Sequence, residues 1–151
     1  MTSSRRRDGA IPVLGLLVIV AGAILLAAGV TTYAMVSSTL ADQHITVDAD
    51  ADHFAGQEVT QPWEAYAQAS VIAEHAGKLA GGRTYAEIPR EDPVRDTVMN
   101  ASFLQASLFT SVVAFGVAAL AAGLGIVFVL IGTALRRVSR PVRDDEGAAA
   151  R

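Results

Sequence analysis

The densest group of side chains that could bind a metal ion lies between positions 44 and 53. Three aspartates alternate with alanines and a histidine stands on each side of them: His44, Asp48, Asp50, Asp52 and His53. Alternating carboxylates can converge on a hard cation, and the first three ligands of a calcium loop have this spacing. Such a loop also needs a glycine after the third ligand and a glutamate at its twelfth position, where this chain has His53 and Val59. The pattern therefore favours an acidic, solvated turn, and cation binding is the alternative.

Other catalytic chemistry finds no support in the sequence. The chain has no cysteine, which excludes disulfides, thiolate zinc sites and thiol nucleophiles. His44, His53 and His75 fall in three separate segments without the spacing of a metal triad. No serine-histidine-aspartate order, phosphate loop or dinucleotide fingerprint occurs. We therefore assign no catalytic residue and no cofactor, and we expect neither an enzyme nor a nucleic-acid partner.

Two long uncharged runs determine the fold class. The first covers residues 9–41 and the second residues 97–135. A hydrocarbon core about 30 Å thick requires about 20 helical residues, so each run can cross a bilayer. We predict transmembrane helices at 11–36 and at about 108–133. A cleaved secretory signal is the alternative for the first run, but its apolar stretch exceeds the roughly 7 to 15 residues of such a signal.

The second span belongs to a longer helix predicted over 93–135. Asp92 is a suitable N-cap and Pro93 occupies the first helical position. Arg136 and Arg137 follow at the end where the helix dipole favours positive charge. The first turns of this helix should stand outside the bilayer. Neither span has an ionisable residue in its core, which counts against transporters, proton relays and voltage sensors.

The distribution of charge predicts the orientation. Three arginines, Arg5 to Arg7, precede the first span, and four arginines follow the second within ten residues: Arg136, Arg137, Arg140 and Arg143. Residues 37–101 carry four Lys or Arg against eleven Asp or Glu. Because Lys and Arg are retained on the cytoplasmic side, we expect both termini to be cytoplasmic and the loop 37–101 to be exported, in a multi-pass protein of the cytoplasmic membrane.

Glycines recur every seven residues in both spans. The first helix has one such stripe and the second has two: Gly15, Gly22 and Gly29; Gly116 and Gly123; Gly125 and Gly132. Stripes of small residues let helix backbones approach closely. We predict that they pack the two spans into an antiparallel hairpin, and a homo-oligomer interface is the alternative.

The segment 37–92 between the spans is predicted to be a small, acidic, mostly helical exported domain. We expect a short strand at 43–47, a turn near Gly56, and an amphipathic helix at 62–79 that stops at Gly81. The apolar face of this helix needs cover: Ala65, Tyr66, Ala69, Ile72, Ala73, Ala76 and Leu79. Its polar face is expected to meet solvent: Glu64, Gln68, Glu74, His75 and Lys78. A capping box at Thr84 to Glu87 predicts one further helical turn.

Two stretches next to the second span resemble a known family. They are Gly81-Gly82-Arg83-Thr84-Tyr85-Ala86-Glu87 and Arg90-Glu91-Asp92-Pro93-Val94-Arg95-Asp96-Thr97-Val98-Met99-Asn100-Ala101-Ser102-Phe103-Leu104. They look like a family of small two-span membrane proteins of high-GC Gram-positive bacteria, and the similarity covers residues 11–135. Members are often labelled aromatic ring-opening dioxygenase. Ring opening of catechols needs an iron centre of two histidines and one carboxylate in an enclosed pocket, and no residues here match such a motif. The resemblance therefore implies the topology and not the activity.

The sequence thus predicts an all-α membrane protein. It is a two-span helical hairpin whose second helix extends beyond the bilayer and which carries a small, mostly helical exported domain. Residues 1–10 should form a basic cytoplasmic tail and residues 136–151 a disordered cytoplasmic tail. The expected partners are the lipid bilayer and either another membrane protein of the cell envelope or a second copy of the chain. The competing function is metal or ligand binding by the exported domain.

Overall fold

Helices account for most of the computed structural model, which describes residues 5–139, with side chains from residue 11 onward. The α-helices are α1 (Arg5–Ala41), α2 (Pro62–Leu79) and α3 (Val94–Val138), and a 3-10 turn at Tyr85–Glu87 precedes α3. Over residues 5–139 the chain forms helices and no strand, as the all-α prediction requires. The predicted strand at 43–47 is wrong, because a single antiparallel bridge between Thr46 and Glu58 is all the β pairing in the described range.

Both long helices are long and apolar enough to cross a membrane. α1 extends beyond the predicted span 11–36 on both sides, and α3 continues three residues past the predicted end at Leu135. Residues 136–138, predicted as disordered tail, are therefore helical, while residues 140–151 lie outside the described part of the chain. At its start α3 is capped as predicted, because the Asp92 carboxylate accepts a hydrogen bond of 3.0 Å from the backbone N–H of Val94.

Within the described residues, one compact unit comprises residues 5–28 and 121–139. Here α1 and α3 meet backbone to backbone. A Cβ atom added at Gly22 would lie 2.7 Å from the carbonyl oxygen of Gly125, and one added at Gly132 would lie 2.6 Å from that of Gly15. Gly22 thus faces Gly125, and Gly15 faces Gly132. Residue numbers fall along α1 as they rise along α3, so the two helices run antiparallel. We call these four residues the glycine seam.

The predicted packing positions Gly116 and Gly123 are wrong for this contact. A Cβ atom at either position would meet no neighbour within 4 Å. Each α-helical residue turns the chain by about 100°, so Gly123 and Gly125 point to nearly opposite sides of α3 and only one stripe can face α1. The remaining predicted position, Gly29, is buried and belongs to the second unit.

The second compact unit covers Gly29–Leu120 and has a core drawn from all of its elements. Its buried apolar residues are Leu40, Val47, Val59, Ala65, Ala69, Leu108 and Phe115. Val47 and Val59 come from a turn closed at Gly56, and Val59 donates its N–H to the carbonyl of Ile45 at 2.8 Å. Because the loop packs on the ends of α1 and α3, residues 37–92 are only part of the compact unit.

A smaller cluster holds the segment between α2 and α3. Ala80, Ile88 and Val98 are buried together. The Arg95 guanidinium lies 4.2 Å from the centre of the Tyr85 ring and donates hydrogen bonds to the backbone carbonyls of Tyr85 and Ile88. The predicted capping box is confirmed, because Glu87 accepts hydrogen bonds of 2.7 and 2.8 Å from the backbone and hydroxyl of Thr84. These backbone hydrogen bonds, rather than regular structure, order the loop.

The polar face predicted for α2 is partly wrong. Ala65 and Ala69 are fully buried, as expected, but Glu64 and Gln68 are also buried, each with 7% of its surface exposed. Conversely Tyr66, predicted to need cover, is 57% exposed. The buried stripe is rotated towards the loop because the loop supplies hydrogen-bond partners for the carboxylate and the amide, so both can be buried without loss.

The glycine seam predicts that a side chain at Gly125 separates the helices, whereas one at Gly123 does not. In the Gly125→Leu variant the new side chain would meet the backbone of Leu26, and overpacking of this kind costs about 1 to 3 kcal/mol. Spin labels on Leu17→Cys and Leu130→Cys, both exposed and in an otherwise cysteine-free chain, should report a distance longer by about 2 Å.

The matched control is Gly123→Leu, which places the same side chain two residues away on the same helix in open space. Its spin-label distance should equal that of the parent chain. Equal distances in all three proteins would contradict the seam.

Candidate functional site

The candidate metal ligands are held by separate partners rather than gathered around one point. His44 Nδ1 lies 3.7 Å from a Glu58 carboxylate oxygen, and His75 Nε2 lies 2.7 Å from Asp50 Oδ2. The His53 ring packs edge-on against Phe54. Within residues 11–139 no three His, Asp or Glu side chains converge as a metal-binding group. The alternative ligand set of His44, Asp48, Asp50, Asp52 and His53 is therefore not brought together in the described residues.

Asp48 has a structural role rather than a role as a metal ligand. Its backbone N–H donates to Gln68 Oε1 at 2.9 Å, and its carboxylate accepts from Gln68 Nε2 at 3.3 Å. The amide of Gln68 thus binds both the backbone and the side chain of Asp48, and it attaches the start of the acidic turn (residues 48–56) to the middle of α2. The salt bridge of Asp50 with His75 makes a second attachment, about two helical turns further along α2.

These two attachments leave a concave surface between the acidic turn and α2, which we call the aromatic cleft. Its walls are Phe54, Trp63, Tyr66, Val71 and Val112, and its volume is about 570 Å³. That volume lies within the roughly 300 to 1,000 Å³ typical of small-molecule sites. Trp63 and Tyr66 are 50% and 57% exposed, so two large rings face the cleft instead of the core.

Phe54 reaches the cleft through an uncommon backbone conformation. Its φ angle is +63°, in the left-handed region that bulky residues rarely adopt. The conformation is maintained by the turn, in which Gln57 donates its N–H to the Phe54 carbonyl at 3.0 Å and Gly56 donates to Val47 at 2.8 Å. Gly56 itself has a φ of +75°, where glycine is tolerated at no steric cost.

Carboxylates line one edge of the cleft. We call Asp50, Asp52 and Glu74 the acidic rim. Asp50 is paired with His75, and Glu74 lies 2.6 Å from Lys78. The hydrogen bond from His75 lowers the pKa of Asp50, and the Glu74 carboxylate raises the pKa of Lys78. No lysine or arginine is among the residues that line this cleft in the described structure.

Glu64 orients the Trp63 ring in the wall of the cleft. One of its carboxylate oxygens accepts hydrogen bonds from the backbone N–H groups of Thr60 and Gln61, at 2.8 and 2.9 Å. The other accepts from the indole N–H of Trp63 at 3.2 Å. A single buried carboxylate therefore caps the N-terminus of α2 and fixes the orientation of the ring. Tyr66 is set in turn by an edge-to-face contact with Phe109, at 5.7 Å between ring centres.

Sequence reasoning placed Trp63 and Tyr66 at the start of an amphipathic helix but did not join them to the acidic turn. The available signal was the run Gln61-Pro62-Trp63-Glu64, in which a glutamate at the third helical position can cap the helix. That signal gives the cap, whereas the pairing of Gln68 with Asp48 crosses twenty residues and has no local signature.

Comparisons with family models, with curated proteins and with solved structures found no match for this chain. Function must therefore be inferred from the geometry of the site itself. That geometry, a cleft with aromatic walls, is suited to binding.

We expect the Glu64→Ala variant to lose about 2 kcal/mol of unfolding free energy, because two backbone N–H groups and an indole N–H lose their acceptor. Trp63 is the only tryptophan, so its fluorescence reports unfolding of the detergent-solubilised chain and also the release of the ring. The matched control is Glu74→Ala, which removes an exposed glutamate from the same helix and should change stability little. Equal effects of the two variants would contradict the part assigned to Glu64.

The Asp50 to His75 pair predicts a pH dependence of the turn. Because the folded pKa of Asp50 is lowered, its contribution to stability is present above the pKa of the unfolded chain and is lost as pH falls through the folded pKa. His75→Ala should raise the pKa of Asp50 towards that of a free aspartate, measured by NMR titration of the carboxyl carbon. Asp92 is an internal control, since its pKa is lowered mainly by the Val94 N–H and should stay unchanged. An unchanged pKa of Asp50 would contradict the pairing.

Proposed function

We propose that the chain is an integral protein of the bacterial cytoplasmic membrane. In this proposal α1 and α3 cross the bilayer, both termini are cytoplasmic, and the loop 37–101 is exported. The basic residues at the start of α1 and at the end of α3, against the acidic loop, support this orientation. The resemblance to two-span membrane proteins of high-GC Gram-positive bacteria supports the same topology.

Exposed apolar surface is the main support for a membrane location. Only 17% of the most apolar stretch of each long helix is buried. Large side chains such as Leu17, Ile24, Val113 and Leu130 are each more than half exposed. A soluble monomer rarely exposes contiguous apolar patches of more than a few hundred Å². Core helices of soluble proteins are mostly buried, so a hydrocarbon environment fits these helices better than water does.

Within the membrane the protein acts as a scaffold rather than as an enzyme in this proposal. The observation that supports a scaffold is that the chain has both a glycine seam with close backbone contact and, on the unit formed by residues 29–120, an open cleft. The seam fixes a stable anchor, and the cleft provides a binding surface. We therefore propose an accessory or structural partner of a cell-envelope membrane protein, with self-association as the alternative.

A metal-dependent activity, including the ring-opening label of the resembling family, is less well supported. Two histidines and a carboxylate would have to meet at one iron, and each histidine of the described chain has a different neighbour: Glu58, Phe54 or Asp50. Metal analysis of the purified full chain tests this. Stoichiometric iron or calcium would favour the metal-binding alternative over the scaffold.

The topology predicts opposite labelling of two introduced cysteines. Ala55→Cys, in the exposed acidic turn, should react with a membrane-impermeant maleimide in intact cells. Val138→Cys, 84% exposed at the end of α3, should react only after permeabilisation. The parent chain is the blank, since it contains no cysteine. The reverse pattern would contradict the proposed orientation, and release of the chain into buffer by an alkaline wash would contradict membrane insertion.

The scaffold role is tested by photocrosslinking in native membranes. A photoreactive amino acid at Tyr66, in the cleft, should yield a discrete adduct that the same amino acid at Tyr85, outside the cleft, does not yield. Adducts of equal yield from both positions would indicate random collision and contradict a specific partner.

A further inference from the structure

The aromatic cleft has a chemical preference that can be inferred from its lining. Trp63 and Tyr66 present exposed ring faces, and rings attract cations through their negative faces. Burying these rings under an aliphatic group would also remove apolar surface from water. The walls are thus suited to a group that is both apolar and positively charged.

The charge of the acidic rim indicates which ligands the cleft can bind. Asp52 forms no ion pair with the described residues, and Asp50 and Glu74 are bound to their partners only by exposed ion pairs. Among the described residues that line the cleft there are three carboxylates and no lysine or arginine, so an anionic ligand, including a phosphate-bearing lipid head group, would meet like charge at the acidic rim.

The floor of the cleft indicates where the ligand comes from. Val112 belongs to α3 and to its uncharged run 97–135, and it lies beside Val71 of α2. In the proposed topology this run enters the bilayer, so an aliphatic chain in the membrane could reach the cleft from that side. This step rests on the proposed function, whereas the preference for a cation does not.

We propose that the aromatic cleft binds the head group of a cationic amphiphile, a molecule with an ammonium group and an aliphatic chain but no phosphate. The ammonium lies between the rings of Trp63 and Tyr66 and the Asp52 carboxylate, and the first methylenes lie against Val71 and Val112. A cleft of about 570 Å³ accommodates such a head group with a short length of chain.

The test uses Trp63 as the reporter, since it lines the cleft and is the only tryptophan. The full chain in nonionic detergent is titrated with hexyltrimethylammonium, which should give a saturable change in fluorescence. Hexanesulfonate has the same chain with the opposite charge, and tetramethylammonium has the head group without the chain. Both should bind at least about fivefold more weakly, the factor expected when one attractive contact of this kind is lost.

Matched variants separate the cleft from general charge effects. Asp52→Asn should weaken binding of hexyltrimethylammonium about fivefold, and so should Tyr66→Ala. Asp42→Asn removes the same charge from an exposed position outside the cleft and should leave binding unchanged. If Asp52→Asn and Asp42→Asn behave alike, or if hexanesulfonate binds as tightly, the proposal is overturned.

Two further results distinguish a failure of this proposal from a failure of the proposed function. The proposed protein partner and the amphiphile compete for the same cleft, so hexyltrimethylammonium should lower the yield of the Tyr66 photoadduct. A yield that it leaves unchanged would overturn the amphiphile. If Ala55→Cys proves to be cytoplasmic while titration in detergent still shows charge-selective binding, the topology fails and the cation preference of the cleft stands.

Discussion

Close contact between the backbones of α1 and α3 is the constraint on which the structure depends. In the proposed membrane setting, lipid is as apolar as the helix surfaces, so apolar burial alone would not drive the two helices together. Dispersion between closely packed backbones can, and it requires residues without a Cβ atom where the helices meet. Gly22 and Gly125 meet this requirement, since a methyl group on either would lie within 2.8 Å of the facing helix backbone. The seam therefore leaves the larger side chains of both helices facing outward.

In the unit of residues 29–120 the same two helices offer large side chains rather than glycines. Leu40, Leu108 and Phe115 provide the apolar surface, and the acidic turn with α2 covers it. So short a segment cannot bury enough apolar area to fold by itself. Its stability is supplemented by buried hydrogen bonds, above all those of Glu64 and Gln68, which bind loop backbone to helix. The turn is consequently ordered without strands.

The cleft is a consequence of burying Glu64 and Gln68 against the loop. Because Glu64 and Gln68 occupy the buried stripe of α2, Tyr66 is displaced from the core and Trp63 is oriented by the carboxylate that caps the helix. Both rings come to face the acidic turn, which Gln68 and His75 hold in place. Residues that appear to be metal ligands in the sequence become attachments and rim of a binding surface. In our proposal this surface recognises an apolar cation.

The sequence by itself determined the helices, since their signals are local: uncharged runs, the cap at Asp92, the stop at Gly81 and the capping box at Thr84. It also determined that glycine stripes exist, but not which stripe of α3 faces α1, because both have the same spacing. Only the tertiary structure decides that Gly125 and Gly132 contact α1 and that Gly116 and Gly123 do not. Likewise only the fold could bury Glu64 and Gln68, since the hydrogen bonds that allow it come from a loop whose path depends on long-range packing. Helical periodicity records which residues share a face, and it contains no information about which face meets a polar neighbour.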